Sequence, residues 1–157
     1  MNKFLLVNFK IKLNENNLCV PERYAKAVPE IELDDAGLDL FLPEDLKANL
    51  DSTKKYVGIC PGSRHFTKMY PTEYFFELGK LIQKIGRQVV ILGGRDDMEI
   101  NQNLHSKLEE SIDLTNDNDL LQTAFDMKFC EAVICNDSGL MHAASAIRVP
   151  VVAIFGS

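Results

Sequence analysis

From Tyr56 onward the apolar residues fall into two alternating kinds of run. Short, nearly continuous apolar blocks predict buried strands at Tyr56–Cys60, Gln88–Leu92, Ile112–Leu114, Ala132–Cys135 and Val151–Phe155. Between them, apolar residues recur at helical spacing. Tyr74, Phe75, Leu78, Leu81, Ile82 and Ile85 mark one face of a helix over Thr72–Ile85, with Gly86 as its stop. Further helices are predicted over Asp96–Glu109, Leu120–Phe129 and Leu140–Ile147. Strands alternating with helices at these lengths predict an α/β fold, a doubly wound parallel sheet with helices on both faces.

The first fifty or so residues lack this regularity. A strand is expected over Phe4–Leu13, a polar break over Asn14–Asn17, and a short helix over Pro21–Val28 beginning at its proline. An extended piece at Leu38–Leu42 and a helical turn at Glu44–Asn49 follow. This is too little apolar, regular structure for an independent core. Residues 1–52 are therefore expected to be a connector or the remnant of another domain, and residues 53–157 one α/β domain. The end at Phe155-Gly156-Ser157, directly after a buried-type strand, is expected to be a truncation.

With 157 residues, 46% of them hydrophobic, the chain is long enough to bury one sizeable core. Its net charge of -6 argues against a nucleic-acid partner, so any phosphate site must be a local basic patch that takes a small ligand. Cys19, Cys60, Cys130 and Cys135 form no C-x-x-C pair and read as reduced, mostly buried thiols of a cytosolic protein. No apolar run approaches the roughly 20 residues of a membrane span.

Two turns carry candidate chemistry. The strand at Tyr56–Cys60 opens through Pro61-Gly62-Ser63 into a basic loop with Arg64 and Lys68, and then a helix. Backbone N–H groups, the Ser63 hydroxyl and the Lys68 and Arg64 charges can hold a phosphate there. The second turn, Asn136-Asp137-Ser138-Gly139, opens another helix after a later strand. Ser138 or Asp137 can cap that helix, whose first N–H groups face the ligand side. An aspartate repels phosphate, so Asp137 is expected to accept hydrogen bonds from sugar hydroxyls. His142 lies one helical turn further on. After Gly93-Gly94, Asp97 is the best candidate for accepting ribose hydroxyls, the common role of an acidic residue at that place in doubly wound folds. Asn116–Asp119 reads as a capped turn. No second His or Cys stands at metal-ligand spacing, and no metal is expected.

These residues resemble a known family, the bacterial lipopolysaccharide heptosyltransferases of glycosyltransferase family 9. Tyr56–Pro71 is similar to its "PG(S/A)…K-x-(W/Y)-P" element, Val89–Gly94 to its second strand and turn, and Asp113-Leu114-Thr115 to its "D-L-T" element. Asn136–Ala144 resembles its "N-D-S-G-x-x-H-x-A" signature, followed by Pro150–Gly156. The resemblance implies the Rossmann-like donor half of a two-domain GT-B enzyme. It implies an ADP-heptose-type nucleotide sugar as donor and inverting transfer to a lipopolysaccharide core sugar. Lys68 would stabilise the leaving diphosphate, while Gly62, Ser63, Arg64, Asp97, Asp137, Ser138, Gly139 and His142 bind the donor. It also implies a cytoplasmic place, with room for peripheral association at the inner membrane. The family's Gly-rich first loop with its catalytic carboxylate finds no counterpart here. Two alternatives therefore stay open: a nucleotide-sugar-binding fragment without transfer activity, and a GT-B transferase for another donor such as a UDP-hexosamine.

Overall fold

The computed structural model describes residues 20–28, 30, 32–34, 36–117 and 119–156. The chain divides into two compact units, Met1–Gly37 and Leu38–Ser157. In the first, helix α1 spans Val20–Ala25 and ends sooner than expected; Ala27 and Val28 form turns onto the carbonyls of Tyr24 and Ala25. The strand expected at Phe4–Leu13, the polar break after it, and Cys19 lie outside the described residues.

The second unit is a parallel five-stranded sheet in the order β3-β2-β1-β4-β5. Its strands are β1 (Tyr56–Cys60), β2 (Gln88–Ile91), β3 (Ile112–Asp113), β4 (Cys130–Asn136) and β5 (Val151–Ile154). Helices α2 (Thr72–Lys84), α3 (Met98–Lys107), α4 (Leu120–Met127) and α5 (Gly139–Ala146) connect them. The apolar blocks of the central strands split by parity, because successive strand side chains point to opposite faces. Val57, Ile59, Val89 and Ile91 pack with Phe75 and Ile82 of α2 and with Leu104 of α3. Tyr56, Cys60, Val90, Val133 and Cys135 pack on the other face with Met127 of α4 and Ala144 of α5. Each fully buried side chain of this kind contributes about 1.5–3 kcal/mol before ordering entropy is counted.

This division of helices has a topological consequence. Winding runs outward from β1 through β2 to β3, then returns to the other side of β1 for β4 and β5. Right-handed crossovers put α2 and α3 on one face and α4 and α5 on the other when the direction of winding reverses. The reversal lies between β1 and β4, which pair from Tyr56↔Cys130 to Cys60↔Cys135. The loops leaving these two strands must part there, and a crevice opens between them.

Several local expectations shift. The helix expected from Asp96 begins as a 3-10 turn, Arg95–Asp97, because the Asp97 carboxylate folds back onto the Gly94 N–H at 3.0 Å. It stops at Lys107, where Leu108 turns extended and Glu110 takes a φ of 58°. Glu44–Asn49 makes a turn and no helix, and Leu38–Leu42 joins no sheet. Residues 38–52, expected among the connector, belong to the α/β unit. Leu50 is buried in its core, and the Asn49 N–H and amide donate to the buried Asp126 carboxylate at 3.0 and 2.8 Å. Gly86 ends α2 as expected, at φ 76°. Cys60, Cys130 and Cys135 are buried and free.

Candidate functional site

At the carboxyl edge of the sheet, the loops that follow four strands enclose a cavity of about 680 Å³. Gly62, Ser63 and Arg64 come from the exit of β1, and Gly93, Gly94, Asp96 and Asp97 from that of β2. Asn116, Asp119, Leu120 and Thr123 follow β3, while Ser138, Gly139 and Leu140 follow β4. The volume is in the range of small-molecule sites, about 300–1,000 Å³. The cavity sits where the winding of the sheet reverses, the place at which open α/β sheets take their ligands.

The wall formed by β4 and α5 is a helix N-terminus without a side-chain cap. Ser138 occupies the cap position in extended geometry, φ -144° and ψ 173°, yet its hydroxyl makes no cap hydrogen bond. That oxygen is buried without a partner among the described residues. The expected capping by Ser138 or Asp137 therefore does not occur, because the Asp137 carboxylate is turned instead to the Lys68 ammonium. The first N–H groups of α5 keep their partial positive charge at the cavity wall, where an anion is stabilised.

The facing wall is the Gly62–Arg64 turn. A Cβ on Gly62 would overlap the Asp97 carboxylate, so the β1 and β2 loops touch there and a larger residue would have to displace the Asp97 side chain. Asp97 thus serves the loops directly: one oxygen holds the Gly94 N–H, and the carboxylate covers Gly62. It still lines the cavity, as does the exposed Arg64. The Ser63 hydroxyl reaches the Asp137 carbonyl at 3.4 Å and joins the turns that follow β1 and β4.

Lys68 ends the 3-10 turn Phe66–Lys68. It is not among the residues lining the cavity; its ammonium is paired with Asp137, which directly precedes the lining residue Ser138. Of the residues picked from sequence, Gly62, Ser63, Arg64, Asp97, Ser138 and Gly139 line the cavity together, and Lys68 and Asp137 pair with each other outside the lining. His142 is exposed on α5 and lies outside the lining.

The loop after β3 is both the capped turn expected and a wall of the cavity. Asp119 accepts the Gln122 N–H at 3.0 Å, and Asn116 bonds the Asp119 N–H at 2.9 Å and the Thr123 hydroxyl at 2.7 Å. Sequence reading passed over Asn116, Leu120, Thr123 and Leu140 as lining residues, although their place after a parallel strand puts them at the ligand edge. Beneath this wall, Asp113-Leu114-Thr115 closes a small turn, with Asp113 accepting the Thr115 N–H at 2.9 Å. Thr115 accepts from the buried Asn101 amide at 2.7 Å. Among the described residues, no group of three or more His, Cys, Asp or Glu side chains is placed to hold a metal ion.

A sequence model of the family described as glycosyltransferase family 9 (heptosyltransferase) matches residues 14–157. Lipopolysaccharide heptosyltransferase 2 of Salmonella typhimurium is 32% identical over 114 residues, covering 69% of this chain and 33% of that protein. The solved structure of E. coli ADP-heptose lps heptosyltransferase II shares 32% identity. It superposes with a TM-score of 0.61 over 67% of this chain and 34% of its own. A family 9 glycosyl transferase from Veillonella parvula superposes with a TM-score of 0.78 at 26% identity, over 91% of this chain and 45% of its own. The chain thus spans about a third of the length of the curated relatives it matches. A match across residues 14–157, on a parallel sheet whose carboxyl edge carries the cavity, means that the chain belongs to glycosyltransferase family 9.

Proposed function

We propose that this chain forms the donor-binding half of a heptosyltransferase. In this reading the α/β unit takes an ADP-heptose-type nucleotide sugar into the cavity at the carboxyl edge of its sheet. The diphosphate lies between the Gly62–Ser63 turn and the uncapped N-terminus of α5, with Lys68 at its flank. Arg64 and Asp97 stand along the nucleotide, and Asp137 serves the sugar hydroxyls. The observation that supports the reading most is the meeting of Lys68 with the Asp137–Gly139 corner beside a single cavity.

The chemistry follows from where charge develops. An acceptor hydroxyl of a lipopolysaccharide core sugar attacks the anomeric carbon as the bond to the diphosphate oxygen breaks, with inversion. The bonding electrons leave on that phosphate oxygen, where a fixed ammonium and helix N–H groups stabilise them more in the transition state than in the ground state. The hydroxyl proton passes to a carboxylate outside this chain, as the family resemblance implies. The reading gives the leaving-group charge to Lys68 and backbone donors and assigns no role to a metal. Donor and acceptor place the protein on the cytoplasmic side of the inner membrane, in peripheral association. None of the described helices is long and apolar enough to cross a membrane.

Calorimetry with ADP-heptose, ADP and UDP tests the donor. Binding of the two adenine compounds, weakened by Lys68→Ala, is expected; a preference for UDP would overturn the choice of donor. Heptose transfer to heptose-deficient lipopolysaccharide, with and without a chelator, tests the reaction.

A further inference from the structure

We propose that Asn136 is a positioning residue that sets the Lys68 ammonium against the Gly62–Ser63 turn. The inference rests on the donor-binding reading above. Asn136 is the last residue of β4 and is fully buried. Its amide oxygen accepts the Tyr70 N–H at 3.0 Å, and its amide nitrogen donates to the Pro61 carbonyl at 2.7 Å. Only one orientation of the amide satisfies both bonds, since the N–H can only donate and the carbonyl only accept.

These partners lie 66 and 75 positions away in sequence, and both are main-chain groups. What the amide fixes is therefore the path of two loops. Pro61 immediately precedes Gly62. Tyr70 stands two residues after Lys68, and Asp137, the ion-pair partner of Lys68, directly follows Asn136. One planar group thus ties together the three segments that carry the turn, the ammonium and its carboxylate.

A second contact also bears on the Lys68 turn. A Cβ on Gly156, just past β5, would overlap the Thr67 carbonyl and crowd the Lys68 Cα. The Asp137 N–H bonds the Ile154 carbonyl at 3.1 Å, which holds the two strand ends together. The turn is held at Tyr70 by the Asn136 amide and abuts the Gly156 backbone at Thr67 and Lys68. The path of the turn is thus fixed, and from it the ammonium reaches the Asp137 carboxylate.

An aspartate at position 136 keeps the shape but offers no donor to the Pro61 carbonyl, and a serine is too short to reach both loops. A bond that only holds the fold together would change donor binding equally whatever stood at position 68. A bond that acts by placing Lys68 loses its effect once the ammonium is gone. ADP affinity is therefore measured by calorimetry for Asn136→Asp and Asn136→Ser, each in the wild-type and the Lys68→Ala background, with melting curves to establish folding.

The expected result is about tenfold weaker ADP binding in the wild-type background and less than about twofold further loss in the Lys68→Ala background. Equal losses in both backgrounds, or none in either, overturn the proposal while leaving the donor-binding reading intact. Wild-type protein that does not bind ADP overturns that reading and this proposal with it. Should both variants fail to fold, hydrogen exchange on the wild type decides. The Tyr70 amide is expected to exchange slowly and to slow further with ADP. Exchange at the rate of exposed loop amides, or rates unchanged by ADP, overturns the proposal.

Discussion

The Lys68 ammonium is ion-paired to the Asp137 carboxylate across 69 positions of sequence. Their side chains remain 42% and 26% exposed. A pair this open contributes little to folding, about 0–1 kcal/mol, so its position is better explained by what adjoins it. The carboxylate holds the ammonium in place beside the uncapped N-terminus of α5, where a diphosphate would draw on both.

Lys68→Ala is accordingly expected to leave the melting temperature nearly unchanged and to weaken ADP binding by about 1.5–3 kcal/mol, the scale of a hydrogen bond to a charged group. Lys68→Arg keeps the charge but not the compact ammonium, and should recover only part of the affinity. Calorimetry alongside thermal melting checks both. Equal losses in stability and affinity would mark the lysine as a fold residue.

The contact between Gly62 and Asp97 yields a second expectation. In Gly62→Ala the new methyl group meets the Asp97 carboxylate, which must move and release the Gly94 N–H. Donor affinity should fall, and the loss should be strongly non-additive with Asp97→Ala, because the single Asp97 change removes the obstacle in advance. A cycle of the two single variants and the double variant, read as ADP affinity, checks the coupling. Additive effects would mean that the two loops act independently.

Much of this arrangement was legible in the sequence, and the limit is physical. Short apolar blocks such as Val89–Leu92, rich in β-branched residues and followed by Gly93-Gly94, fit a strand covered on both faces, so strand placement and the α/β fold follow from local pattern. The Gly62–Ser63 and Ser138–Gly139 turns follow from their places after β1 and β4. The partners of side chains were another matter. Asp97 looks like a ribose acceptor because of its position after β2, and it lines the cavity; only the fold shows that its carboxylate also holds the Gly94 N–H and lies over Gly62. Asn136 looks like one polar residue of a turn, while its role depends on two backbone groups brought in by the sheet. Leu50 looked like part of a connector because its core is built by residues far along the chain.

The bonds from Asn49 to Asp126 tie residues 38–52 to the rest of the α/β unit. The Asp126 carboxylate is 1% exposed and accepts the Asn49 N–H, the Asn49 amide and the Gln122 amide. Asp126→Ala leaves these donors without their acceptor and is expected to destabilise the protein by about 1–3 kcal/mol or more. Removing residues 1–37 should cost the α/β unit far less than removing residues 1–52, which also takes away Asn49 and the buried Leu50. Chemical denaturation of the variant and of both truncations checks this. Equal stability of the two truncated forms would show that residues 38–52 are dispensable.

Stability should also fall on the alkaline side, because burial opposes ionisation of three thiols. From an ordinary value of 9.0, burial pushes the Cys130 thiol up to about 12, with the nearby Asp126 charge adding to the effect. Burial pushes Cys135 up to about 11, and Cys60 is raised well above its ordinary value, again chiefly by burial. Above about pH 9 the unfolded chain releases thiol protons that the folded chain retains. The unfolded state then binds fewer protons than the native state, so unfolding becomes easier as pH rises. The loss should set in near the ordinary thiol value and continue until the raised native values are reached. Denaturant titrations in reductant at about pH 7.5 and about pH 10 measure it, and Cys130→Val should flatten the dependence. Near neutral pH the same burial should let a thiol reagent reach Cys60, Cys130 and Cys135 only as fast as the fold opens, which peptide mapping by mass spectrometry resolves. Rapid labelling of Cys135 in the folded protein would contradict its place between β1 and β5 under α5.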